Sequence, residues 1–175
     1  MSKKRDDNLY RGFYTKEVLS TFQHPRNYGR IKNADGIGRV GNIVCGDVMW
    51  LYIKVGRNKK GEEIIKDIKF ETFGCVAAIA TSSTITDLVK GKTIKEALRI
   101  TKDEIIKSLG GLPKIKYHCS VLAIDALTEA IYDYYVKNKK KIPLFLEKRH
   151  KTIQKSKEII EEKYKKWLDS PEIKE

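Results

Sequence analysis

Three cysteines are spread through the chain, and each stands beside a residue that suits metal ligation: Cys45 in Val44-Cys45-Gly46-Asp47, Cys75 in Phe73-Gly74-Cys75, and Cys119 in Tyr117-His118-Cys119-Ser120. An odd number cannot pair off internally, and the polar opening of the chain carries no apolar export signal. A reducing, cytoplasmic setting is therefore expected, in which thiols coordinate rather than staple. Cys75 falls where a strand gives way to a helix, and Cys119 just before another. Helix N-termini favour thiolate, the form that binds metal and attacks sulfur. Asp47 and His118 add a carboxylate and an imidazole. Three soft sulfurs with one harder donor suit tetrahedral Zn²⁺ or a [2Fe–2S] cluster. A permanent structural site more usually supplies four cysteines, so this set is expected to release what it holds. The separations of 30 and 44 residues match no short metal motif. A lone free cysteine often serves only as a small buried hydrophobe. It is the company all three keep that argues for ligation.

The elements that must position these residues follow from periodicity. Val18, Leu19 and Phe22 give a short helix over 14–22, stopped by Pro25. Gly36, Gly38 and Gly41 suit a bent or bulged strand approaching Cys45. Met49, Leu51, Ile53 and Val55 share one face of a strand, with Trp50, Tyr52 and Lys54 on the other. Residues 56–61 form a polar hairpin turn, and the partner strand over 64–73 places Ile64, Ile68 and Phe70 in phase. Trp50 and Tyr52 are expected beneath a covering helix. A helix over 76–90 follows, capped by Gly91. Two short helices then open on Thr-x-x-Glu boxes, Thr93 with Glu96 and Thr101 with Glu104. The loop 112–116 leads to His118 and Cys119, which in irregular backbone face one cavity. A helix over 120–137 carries the stripe Leu122, Ala126, Leu127, Ala130, Ile131 and Tyr134. After Pro143, residues 144–168 form one long charged helix. The fold class is α+β: a small antiparallel three-stranded sheet, helices packed on one face, and a C-terminal helical extension.

The 175 residues divide into an N-terminus expected to be flexible (1–13), a core domain (14–137) and a basic extension (138–175). The net charge of +13 is concentrated at the ends: residues 1–11 carry +2 and residues 137–175 carry +6, leaving +5 for the remainder. Nucleic-acid binding is not expected, since glutamates interleave the lysines of the tail at helical ion-pair spacing, Glu161 with Lys165 and Glu162 with Lys166. Ile159, Ile160, Tyr164, Trp167 and Leu168 make its apolar side, which suits docking on the core or on a second copy. No apolar run is long enough for a membrane. His24 reads as structural, and Glu17, Asp87 and Asp125 as solvated or capping residues.

Several segments in order resemble the IscU/NifU-type iron–sulfur cluster assembly scaffolds over roughly residues 14–136. They are Tyr14 with His24-Pro25-Arg26-Asn27, Cys45-Gly46-Asp47-Val48-Met49, Thr72-Phe73-Gly74-Cys75, Ala78-Ile79-Ala80-Thr81-Ser82-Ser83, and His118-Cys119-Ser120-Val121-Leu122-Ala123. The resemblance implies an α+β scaffold, not an enzyme, on which a cysteine desulfurase deposits sulfur. A labile [2Fe–2S] cluster is built there and passed to acceptor proteins. It implies Cys45, Asp47, Cys75, His118 and Cys119 as ligands, with Asp47 and His118 as alternatives for the fourth position. Zn²⁺ is implied in the same pocket when no cluster is present, and Cys119, on a mobile loop, as the persulfide acceptor. It also gives Tyr14 a part in contacts within a homo-oligomer. His118 and the lack of a long insertion between Cys75 and Cys119 favour the IscU-like branch. The alternative is the zinc-bound SufU-like sulfur acceptor, and the two differ in whether a coloured cluster forms. Val76 stands where the family usually has glycine. The loop reads Leu112-Pro113-Lys114-Ile115-Lys116 against the family's Leu-Pro-Pro-Val-Lys, the segment an Hsp70-type chaperone reads. A cysteine hydrolase using Cys119 and His118 is disfavoured, because adjacent residues rarely present nucleophile and base face to face.

Overall fold

The computed structural model describes residues 12–42 and 46–168. Its elements run α1 (Lys16–Gln23), β1 (Gly36–Asn42), β2 (Asp47–Arg57), β3 (Glu63–Phe73), α2 (Val76–Val89), α3 (Ile94–Ala97) and α4 (Lys102–Ser108). A single 3₁₀ turn (Lys114–Lys116) leads into α5 (Tyr117–Lys137), and α6 (Leu144–Leu168) closes the order. The sheet is antiparallel in the order β1-β2-β3, as expected. Residues 1–11, 43–45 and 169–175 lie outside the described residues. That leaves the expectations for the N-terminus and for Cys45 without a structural account.

The core face of the sheet follows from the alternation in β2. Met49, Leu51 and Ile53 are fully buried, and they pair across with Thr72, Phe70 and Ile68 of β3. Burying each such side chain contributes roughly 1.5–3 kcal/mol. One phase differs from the sequence expectation. A register shift between Lys54 and Val55 makes Ile65, not Ile64, the buried residue opposite Val55. An extra residue in one strand inverts the in–out alternation beyond it, which simple periodicity cannot show.

On the other side of β2, strand β1 presents Gly36 and Gly38 opposite Ile53 and Leu51. Helix α5 crosses this strand so closely that a Cβ at Gly38 would overlap the carbonyl oxygen of Ala126 and lie 2.7 Å from the amide nitrogen of Ala130. Gly36 meets the Ala130 carbonyl in the same way. The glycines therefore seat a helix rather than bend a strand. The stripe expected on α5 is buried throughout, from Leu122 to Tyr134.

Both outer edges of the sheet are engaged by other segments. The Ile37 amide of β1 donates to Asp133 Oδ2 on α5 at 2.7 Å. Along β3, Phe70 exchanges backbone hydrogen bonds with Asn27 and Gly29, and Ile65 does so with Gly91 and Lys92. The Asn27 segment is itself fastened to α2: Arg26 pairs with Asp87 at 2.6 Å, and the Asn27 amide reaches Thr86 and Asp87. Asp87 is thus a clamp.

Both Thr-x-x-Glu boxes close as read, at Thr93/Glu96 and Thr101/Glu104. Helix α6 spans the expected residues, and its first half docks on α5. Leu146 is fully buried there. His150 stacks flat on Tyr132, with centroids 3.7 Å apart, and its Nδ1 lies 2.9 Å from Glu129 Oε1. Gln154 Nε2 donates to Glu129 Oε2 at 2.7 Å. Of the apolar side expected to dock, Ile159 is exposed, and the side chains of Ile160, Tyr164, Trp167 and Leu168 lie outside the described residues. Ion pairs on the described part of α6 include Glu147 with Lys151 and Lys157 with Glu161; the side chains of Lys165 and Lys166 lie outside the described residues. Tyr52 hydrogen-bonds Glu71 at 2.9 Å, and Trp50 faces a cleft shared with Lys157 and Glu161 of α6. No described helix is long and apolar enough to cross a membrane.

Candidate metal centre

Three junctions in the chain meet at one point. Asp47 is the first residue of β2, Cys75 is the N-cap of α2, and His118 and Cys119 lie in the first turn of α5. Val48 pairs with Phe73, so the sheet register itself sets Asp47 against the Gly74-Cys75 corner. Cys75 gives α2 no side-chain cap. Asp47 supplies a carboxylate instead: its Oδ1 accepts from the Cys75 amide at 3.2 Å. A carboxylate at a helix N-terminus is favoured by the helix dipole. Gly74 makes this approach possible, since a Cβ there would sit 2.7 Å from Asp47 Oδ1 and 2.9 Å from Ala78 Cβ. The first turn of α5 is laid against α2 by Thr81, whose hydroxyl donates to the Cys119 carbonyl at 3.2 Å.

The donor atoms converge. Sγ of Cys75 and Sγ of Cys119 are 3.8 Å apart, and Cys119 Sγ lies 3.8 Å from Asp47 Oδ2. Donor atoms of Asp47, His118 and Cys119 all fall within 4.8 Å of one another. A disulfide requires about 2.05 Å, so the sulfurs are not bonded. Two thiolates on one tetrahedral zinc, each at about 2.3 Å, stand about 3.8 Å apart. Nε2 of His118 is buried with no hydrogen-bond partner among the described residues. A buried ring nitrogen without a partner costs free energy unless something accepts its lone pair, and a metal ion does so. The residues present fit a metal.

Electrostatics divides the two thiols. The Cys119 S–H bond to Cys75 holds the Cys75 thiol down to about 5, aided by the Ala78 amide and the Lys116 ammonium, against burial and the Asp47 charge. The same bond, burial and the negative charges of Cys75 and Asp47 push the Cys119 thiol up. The proton between the two sulfurs is thereby drawn toward Cys119. In the metal-free protein, iodoacetamide is expected to alkylate Cys75 at a rate already level by pH 6.5–7, because thiolate predominates above its pKa. An ordinary thiol near about 8.5 would still gain nearly tenfold per pH unit there. Mass spectrometry of the adduct checks the site, and a Cys75 rate still climbing steeply from pH 7 to 8 would contradict the assignment.

Of the five residues singled out in the sequence, four are brought together: Asp47, Cys75, His118 and Cys119. Cys45 lies outside the described residues. The backbone at His118 and Cys119 is helical rather than irregular, since α5 begins at Tyr117 and not at Ser120. No capping side chain announces that start; Lys116 is the N-cap and makes no side-chain cap bond. Val76 opens α2 in ordinary helical backbone, where glycine is not needed. Gly74 and Thr81 were missed as supports of the site. Their signal was slight: a glycine directly before a ligand, and a hydroxyl on the buried face of a helix. Asp125 is not simply solvated. Burial pushes its carboxyl up to about 6, against the pull of Arg149 and with Glu129 adding to the rise.

Residues 13–141 match the family described as NifU-like N terminal domain. The iron–sulfur cluster assembly scaffold protein IscU 1 of Archaeoglobus fulgidus is 60% identical over 127 residues, covering 73% of this chain and 80% of its own length. The scaffold protein IscU of Aquifex aeolicus is 46% identical over 124 residues, covering 71% and 77%. Among solved structures, an N-terminal NifU-like protein from Brucella abortus superposes with a TM-score of 0.54 at 24% identity. That match covers 71% of this chain and 96% of the other, and it speaks for the fold alone.

Proposed function

Because the chain belongs to the NifU-like N-terminal domain family, we propose that its metal centre is the assembly point of a labile [2Fe–2S] cluster. The cluster is cargo, built from delivered sulfur and iron and then surrendered to acceptor proteins. The observation that carries this reading is the convergence of Asp47, His118 and Cys119, with Cys75 3.8 Å from Cys119, where Nε2 of His118 is buried with no partner among the described residues. The proposed ligands are these four with Cys45. Held by only three thiolates in the whole chain, with a hard oxygen or a nitrogen completing the set, such a cargo is bound less firmly than by four cysteines.

Sulfur is proposed to arrive from a cysteine desulfurase as a persulfide on Cys119. The Cys119 thiolate attacks the terminal sulfur of the donor persulfide, a new S–S bond forms, the donor S–S bond breaks, and the donor cysteine leaves as thiolate. Cys119 is 0% exposed and holds its proton, so the first turn of α5 must open and Cys119 must pass its proton on before transfer. That turn has no side-chain cap and follows only the 3₁₀ turn, so the Thr81 hydrogen bond and its packing are what an opening must give up. Phe73, 76% exposed beside Cys75, and Ile115, 72% exposed in the 112–116 loop, give the rim an apolar surface for partners. The same loop is the proposed docking point for an Hsp70-type chaperone.

The sulfur spacing, matched to a single tetrahedral ion, also favours a second reading: a zinc-bound sulfur acceptor that never holds a cluster. Anaerobic reconstitution with iron and sulfide separates the two. A scaffold turns reddish-brown with visible charge-transfer absorption and loses the colour to an apo-ferredoxin. A protein that stays colourless while retaining zinc is a sulfur acceptor.

A further inference from the structure

We propose that helix α6, which lies wholly beyond the family-matched residues 13–141, is a fixed wall of the metal centre that shields His118 and slows release of bound metal. The inference rests on the metal-holding reading of the site but not on which cargo is native.

A cleft of about 480 Å³ runs along the flank of the centre. One side is β1 and α5, with Val40, Leu122 and Asp125; the other is α6, with Arg149, Ile153 and Lys157; His118 lies in its lining. Residues 118, 122, 125 and 129 recur on one face of α5, and that is the face α6 covers. The cleft exists only because α6 stands there; without it, the flank beside His118 is open surface.

The helix is also held in place rather than merely adjacent. Leu146 is fully buried, His150 stacks on Tyr132, and the Glu129 carboxylate, only 8% exposed, takes contacts from both His150 and Gln154. A buried carboxylate with two donors on the opposing helix fixes the register of that helix, because any slide leaves the charge bare.

A purely stabilising role would leave exchange at the centre untouched under folding conditions. The test therefore reads release, with zinc as the probe. The full-length protein is loaded with Zn²⁺ at pH 7.5 and mixed with excess 4-(2-pyridylazo)resorcinol, well below its melting temperature. The double variant His150→Ala/Gln154→Ala strips Glu129 of its donors and loosens α6. Zinc release is then expected to be about fivefold faster or more, the lower end of ordinary coupling between sites. Gln154→Ala alone is the milder variant: it removes one of the two donors to Glu129 and leaves the His150 stack and buried Leu146 in place, and it is expected to speed release by a smaller factor. Helix content by circular dichroism and zinc stoichiometry accompany each variant, and Gln154→Ala decides the matter if the double variant loses helix. Parent-like release from both variants, each holding the parent's zinc, overturns the proposal. A parent protein that takes up no zinc removes the metal centre itself, and this inference with it.

Discussion

His118→Leu is expected to leave the metal-free protein at least as stable as the parent while removing most of the stabilisation that zinc provides. The two halves of this result have one origin. In the metal-free protein, Nε2 of His118 is buried without a partner among the described residues, and such a group typically costs about 1–3 kcal/mol. Leucine fills a similar volume with no polar atom to satisfy, so the usual penalty of altering a packed residue is offset. With zinc present, the imidazole is lost as a ligand. Even residues that only support a ligand are worth about 10- to 100-fold in metal affinity, so loss of the ligand itself is expected to cost at least that. At a zinc concentration about 100 times the parent's Kd, binding stabilises the fold by about 2.7 kcal/mol, and a hundredfold weaker site forfeits nearly all of it. Thermal melts with and without Zn²⁺ check both halves. A metal-free variant melting well below the parent would show that the imidazole has a protein partner, and an unchanged zinc shift would remove it from the ligand set.

Gly38→Ala is expected to be the most damaging single-methyl change in the sheet. The added Cβ would strike the backbone of α5, at the Ala126 carbonyl and the Ala130 amide, and neither can rotate away. Relief requires α5 to lift off β1, which also moves His118 and Cys119 at the head of that helix. Overpacking usually costs about 1–3 kcal/mol, and a backbone clash belongs at the top of that range, so Tm is expected to fall by roughly 6–12 °C. Gly41→Ala is the control on the same strand. There the nearest atom is Cγ1 of Val48 at 3.2 Å, a side chain that can turn, and a loss under about 1 kcal/mol is expected. Equal melting temperatures for the two variants would show that the helix does not bear on Gly38.

Local signals in the chain were read well, and relations between distant segments were not. The capping boxes at Thr93 and Thr101 and the limits of α6 depend on residues three or four positions apart, and they stand where periodicity puts them. The role of Gly36 and Gly38 depends on Ala126 and Ala130, some ninety positions away, so the glycines read as a bend. The bulge at Lys54/Val55 exchanged Ile64 for Ile65 because inward and outward positions are symmetric until a partner strand breaks the tie. At the site, residue types announced the donors, but which donor stays protonated depends on the 3.8 Å spacing of two sulfurs. The clasp between Glu129 and His150 was missed altogether. Its trace was an acid within the run Ala126-Leu127-Thr128-Glu129-Ala130-Ile131, a charge on a buried helix face that asks for a partner elsewhere.

The engaged margins of the sheet bear on how such a protein survives its working cycle. On the proposed reading the protein yields its load and spends part of its life empty, when the proposed ligands no longer hold three chain segments together. In a small sheet, that is the moment when naked strand borders recruit neighbouring molecules into aggregates. Here one border is occupied by the Asn27 and Gly91 segments and the other is engaged at Ile37 by Asp133, and none of these contacts involves the metal ligands. The contacts that engage these borders therefore do not depend on the load.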